Sequence, residues 1–158
     1  MKNERFNEIL TQAYKRMHRY TCAEASLQAL QTFWDLPLEG YSWATAGYLG
    51  AITSGKTTCG LLIGSSVAIG LRCGQGKEGI PEEHENEREK AIMAVNEVYH
   101  DFLKKFENTD CKSLVHYDLS KGEEVANYIA NKGWKGTCDG FLQFIIEKCL
   151  QLEEDGKI

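Results

Sequence analysis

Between Thr57 and Cys73 the chain is apolar and rich in small residues, and Gly60, Gly64 and Ala68 recur every four positions. That spacing puts all three on one face of an α-helix. Another backbone can approach a face this bare very closely. The glycines also cost helix propensity, about 1 kcal/mol each relative to alanine, so tight packing or a bound group must compensate. The segment therefore predicts a helix at the centre of a bundle. Its apolar run, Leu61 to Leu71, is interrupted by Gly64, Ser65, Ser66 and Gly70 and is too short for a bilayer, so it reads as buried and not as a membrane span.

The flanking segments are helical as well. Phe6, Ile9, Leu10, Ala13, Tyr14 and Met17 follow helical spacing between Asn3 and His18, with charges largely on the other face. Thr21 is an N-cap candidate for a helix from Cys22 to Trp34 with Glu24 in its first turn, closed by Pro37 and Gly40. Tyr41 to Leu49 reads either as a short helix or as an irregular packed segment. A polar connection at about 74–88 contains Gly74 to Gly79, Pro81 and the start of the charge run Glu82 to Lys90. It does not divide the chain into two domains. The stripe that follows it, Ala91, Ile92, Val95, Val98, Tyr99, Phe102, Leu103 and Phe106, needs the earlier helices to cover it.

Further along, Asn108 to Asp110 end that helix and offer caps for a short turn at Cys111. Ser120 and Glu123 have the spacing of a capping box for a helix reaching Asn131. Lys132 to Gly136 form a glycine turn around Trp134, and a last apolar helix runs from about Cys138 to Glu153. No β-alternation competes anywhere. The expected fold is all-α, a single domain over 1–158, built as a bundle of about five to seven helices around a central Gly/Ala-rich one.

At 158 residues such a domain buries a substantial core without disulfides. A net charge of −5 gives no electrostatic footprint for nucleic acid. Positions 1–6 carry charges around one aromatic with no apolar stretch after them, so export is not expected and the protein is read as cytoplasmic. Six cysteines in that setting are expected to be reduced thiols or metal ligands.

The stretch from Gly50 to Gly64 supports two incompatible chemistries. Gly50, Gly55, Lys56 and Thr57 match a phosphate-cradling loop, whereas Cys59 stands where the central helix begins. A phosphate loop needs a buried strand before it, and Tyr41 to Leu49 has no run of branched residues. Nor does Leu114 to Asp118 supply a credible metal-holding partner strand. The reading therefore favours sulfur chemistry.

Cys22, Cys59, Cys111 and Cys138 each follow a turn at a predicted helix start. There the macrodipole and free N–H groups favour a thiolate, the form that attacks disulfides or binds metal. Lys56 is placed to lower the pKa of Cys59 further, and Gly60 and Gly64 to let a neighbour close to it. Cys73 and Cys149 lie at or within C-terminal turns and read as packed neutral thiols. Each of the four helix-start cysteines also has a plain reading as a small core residue; against it stands the expectation that the four starts converge at one end of the bundle as a four-thiolate site. His18, His84, His100 and His116 show no mutual spacing for a metal, although His18 and His116 have room to lie near the cysteines. Trp34, Trp43, Tyr48 and Trp134 read as core or interface.

Four of these segments resemble a family of redox-active proteins named for the pattern C_GCAxxG_C_C. Thr21-Cys22-Ala23-Glu24-Ala25 resembles its first motif and Cys59-Gly60-Leu61-Leu62-Ile63-Gly64 its second, with Leu61 in place of the family alanine. Phe106 to Leu114, containing Cys111, resembles the third, and Cys138 before the closing helix supplies the fourth. The resemblance spans about residues 20 to 150. The family is similar to the cluster-binding part of split-Soret cytochromes, which implies Cys22, Cys59, Cys111 and Cys138 as ligands of an iron–sulfur centre. Four thiolates suit [2Fe–2S], [4Fe–4S] or zinc. The absence of Cys-x-x-Cys-His argues against covalent haem.

Three functions follow as expectations. The first is an iron–sulfur protein for electron transfer or redox sensing, acting with an unidentified redox partner protein. The second is a metal-free thiol–disulfide protein with Cys59 as nucleophile, and the third a structural or interaction module with packed or zinc-bound cysteines. The small-residue helix faces leave a homodimer open.

Overall fold

The computed structural model describes residues 2–19 and 21–158; Met1 and Tyr20, which the single-domain expectation spans, lie outside the described residues. Eight α-helices form among these residues, and no strand does. They are α1 (Lys2–Met17), α2 (Cys22–Phe33), α3 (Tyr48–Thr53), α4 (Gly60–Cys73), α5 (Glu85–Phe106), α6 (Cys111–Val115), α7 (Gly122–Ala130) and α8 (Cys138–Glu154), with 3-10 turns at Tyr41–Thr45 and Pro81–Glu83. The all-α expectation holds, but the count exceeds five to seven. The surplus comes from α3 and α6, of six and five residues, which are too short to show a helical period in sequence.

α4 occupies the centre and packs on α2, α5 and α8. Its tightest neighbour is α2. A Cβ at Gly60 would strike Cys22 Sγ and approach Ala23 N to 3.2 Å, and one at Gly64 would strike Ala23 O and Ser26 Oγ. These two glycines are therefore what lets the backbones of α2 and α4 come together. Buried Leu27, Leu30, Leu61, Leu62, Ile69, Leu142, Ile145, Ile146 and Leu152 join the three elements into one core. α5 closes it through Val98 and Phe102, and Phe102 meets Phe106, Phe141 and Phe144 with ring centroids 4.7 to 6.0 Å apart.

Two boundaries differ from expectation. The polar connection ends sooner than about residue 88, because α5 begins at Glu85 with Glu85 and Glu87 at its positive N-terminus. The Ser120–Glu123 capping box does not form. Ser120 N instead donates to Asp118 Oδ1 at 3.2 Å, and α7 starts two residues later with no side-chain cap. The nearer carboxylate wins, as Asp does when it competes for local backbone donors.

Candidate metal or redox centre

Each of the four cysteines stands at the first turn of a different helix, and local chemistry sets each start. Thr21 Oγ1 accepts from Glu24 N at 3.4 Å while the Glu24 carboxylate accepts from Thr21 N at 2.8 Å, a capping box that makes Cys22 the first residue of α2. Asp110 accepts from Lys112 N at 3.0 Å and from Ser113 Oγ at 2.9 Å, which starts α6 at Cys111. Cys59 is itself the residue that precedes α4, with φ −53° and ψ 128°. Cys138 opens α8 after the turn containing Trp134, where Asp139 N donates to Trp134 O at 3.3 Å.

Tertiary hydrogen bonds bring these starts together. Cys59 N donates to Thr109 O at 2.7 Å and Cys111 N to Thr57 O at 2.8 Å, an antiparallel bridge that pairs Thr58 with Asp110. Two cysteines 52 positions apart are thereby held side by side. Tyr48 on α3 secures the same strand-like stretch by donating its hydroxyl to Thr58 O at 2.8 Å. The contact of Gly60 with Cys22 brings in the third cysteine.

All four line one cavity of about 540 Å³, together with His18, Ile52, Leu114, Tyr128, Trp134 and Phe141. Cys59, Cys111 and Cys138 are 5, 7 and 7 % exposed, and Cys22 is half-buried. Cys73 lies outside the cavity lining, and Cys149 is fully buried in the core. His18 lines the cavity, its ring edge-on to Trp134 at 5.3 Å. His116 does not; it ends α6 in a left-handed conformation beside an outer groove.

Electrostatics reverse one expectation. Burial pushes Cys22 and Cys111 up to about 12, with neighbouring cysteines adding to it, and Cys59 is raised well above its ordinary value for the same reasons. Cys138 is raised by burial although a hydrogen bond from Tyr128 opposes the rise. Helix N-termini were expected to lower these values. Desolvation wins at all four, with neighbouring cysteines adding to it at Cys22, Cys59 and Cys111, because the starts line a largely apolar pocket. As free groups the four are neutral thiols, and a bound cation is what would ionise them. The direction of the shift disfavours Cys59 as a nucleophile while its thiol stays buried. Lys56 does not supply that cation: it is exposed and lines the outer groove with Asp110 and His116. The phosphate-loop spelling also dissolves, since Gly50 sits inside α3.

Four cysteine sulfurs are the donor type that an iron–sulfur group or a zinc ion takes. The four line the same pocket, and among the described residues no three His, Cys, Asp or Glu side chains are grouped closely enough to hold a metal ion as they stand. Tetrahedral zinc at about 2.3 Å from each sulfur needs the sulfurs only about 3.8 Å apart. The wall also carries donors: Trp134 Nε1 is buried with no hydrogen-bond partner, and Tyr128 Oη lies 3.6 Å from Cys138 Sγ. Tyr128 was not singled out in the sequence. It sits on the amphipathic α7, where nothing in the spacing separates it from other half-buried residues.

No curated protein and no solved structure shows significant similarity to the chain. One family model matches residues 20–152, which include all four cysteines, α2 to α7 and all but the last two residues of α8. The chain belongs to the family described as "Putative redox-active protein (C_GCAxxG_C_C)".

Proposed function

We propose that this protein is an electron-transfer or redox-sensing protein whose Cys22, Cys59, Cys111 and Cys138 hold an iron–sulfur cluster. The observation that carries the reading is the arrival of four thiols from four separate helix starts in one largely apolar pocket. When bound, the cluster supplies one-electron redox chemistry. The residues of this chain provide the rest. Ile52, Leu114 and Phe141 give the sulfurs an apolar wall, the bridge between Thr58 and Asp110 fixes Cys59 against Cys111, and Gly60 lets Cys22 approach.

The test is anaerobic reconstitution with ferrous iron and sulfide, followed by a visible spectrum and by iron and sulfide assays. A coloured protein containing both elements is the expected result. A colourless, iron-free protein after reconstitution would sink the proposal, and a stoichiometric uptake of zinc in its place would favour the structural staple.

A further inference from the structure

We propose that Tyr128 is a positioning residue for Cys138, its hydroxyl donating a hydrogen bond to Cys138 Sγ and thereby raising the reduction potential of the four-cysteine site. This inference rests on the iron–sulfur reading above.

The geometry begins with the 3.6 Å separation of Tyr128 Oη and Cys138 Sγ, a hydrogen-bonding distance for an atom as large as sulfur. In the free protein either group can be the donor. A sulfur that ligates metal is a thiolate without a proton, so there the tyrosine must donate. Donation draws charge away from the sulfur and stabilises the more negative, reduced state of the site.

The phenol is also held in place before any metal arrives. Its ring meets Tyr117 edge-on at 5.3 Å and Trp134 at 5.6 Å. Gly133 closes the third side: a Cβ there would run into the Tyr128 ring, and Gly133 N donates to Tyr128 O at 2.8 Å. A donor locked in this way gives its hydrogen bond without further ordering. Cys22 and Cys59 receive backbone N–H groups from their own helix starts, which no side-chain substitution removes. Tyr128 is a donor that one oxygen atom's deletion takes away.

The experiment compares wild-type protein, Tyr128→Phe and the control Tyr117→Phe, each reconstituted anaerobically with ferrous iron and sulfide. Iron content, the visible spectrum and the potential from a dithionite titration with mediators are read for each. Tyr128→Phe is expected to keep wild-type iron content, to shift its potential lower and to move its sulfur-to-iron absorption to longer wavelength, whereas Tyr117→Phe changes neither. A wild-type potential in Tyr128→Phe, or an equal shift in Tyr117→Phe, overturns the inference while leaving the proposed function intact. Failure of the wild-type protein to take up iron overturns both. If Tyr128→Phe loses iron, an unchanged thermal midpoint of the metal-free protein supports the positioning role, and a lowered midpoint overturns it.

Discussion

Cysteine takes two different kinds of position in this fold. Cys22, Cys59, Cys111 and Cys138 face the cavity, whereas Cys149 is buried among core residues and Cys73 ends α4 half-buried. Serine at any one of the four cavity positions is expected to cut iron uptake on reconstitution to less than half of the wild-type amount. Cys73→Ser should leave uptake unchanged, as iron assay will decide. Cys149→Ser should also retain the iron but cost about 1–3 kcal/mol in a urea titration, since it buries a hydroxyl among hydrocarbons. All six cysteines were visible in the sequence, and so was the division into four and two. Which way their acidity moves was not, because a helix start reads as electropositive until its surroundings are known.

Among the elements, helix starts and close packing decide the arrangement. Gly60 and Gly64 sit where a side chain would collide with α2, yet a Cβ on Gly70 of the same helix would meet nothing within 4 Å. Gly64→Ala is expected to destabilise by about 1–3 kcal/mol because the obstacle is the backbone oxygen of Ala23. Gly70→Ala should stabilise by about 0.5–1 kcal/mol through helix propensity alone. Urea midpoints of the two variants test both signs at once. The four-residue repeat of small residues was legible as a packing face. What it packs against was not, since α2 and α4 are joined only by a tertiary contact. The short α3 and α6 escaped definition for a related reason: a helix of one turn or so is held by its neighbours and shows no period of its own.

For the whole molecule the consequence lies in its response to pH. Burial pushes the Cys22, Cys111 and Cys149 thiols up to about 12, against about 8.5 for an unfolded cysteine. Their raised values mean that the folded state holds protons the unfolded state releases. Stability of the metal-free protein is therefore fully present below about pH 8.5 and falls as pH rises toward 12. Fully buried Cys149 alone contributes a slope of about 1.4 kcal/mol per pH unit across that window. The thermal midpoint of the metal-free protein should thus drop steeply between about pH 9 and 11, and a flat profile would contradict the burial of these thiols. Replacing Cys149 by alanine should make the profile shallower, a comparison that separates the core thiol from the cavity.

The sequence by itself determined the helical class, the central place of the Gly60–Gly64–Ala68 face and the four cysteines at helix starts, because caps, periodicity and small-residue spacing are local properties. That those starts converge was an expectation; only the tertiary structure decided which contacts bring them together. The bridge between Thr58 and Asp110 and the contact of Gly60 with Cys22 join residues far apart in the chain. The same convergence makes the cavity apolar and crowded with sulfur, which turns thiols expected to ionise easily into neutral ones, and it sets Tyr128 against Cys138. Local order told where each sulfur begins a helix; long-range packing told what surrounds it.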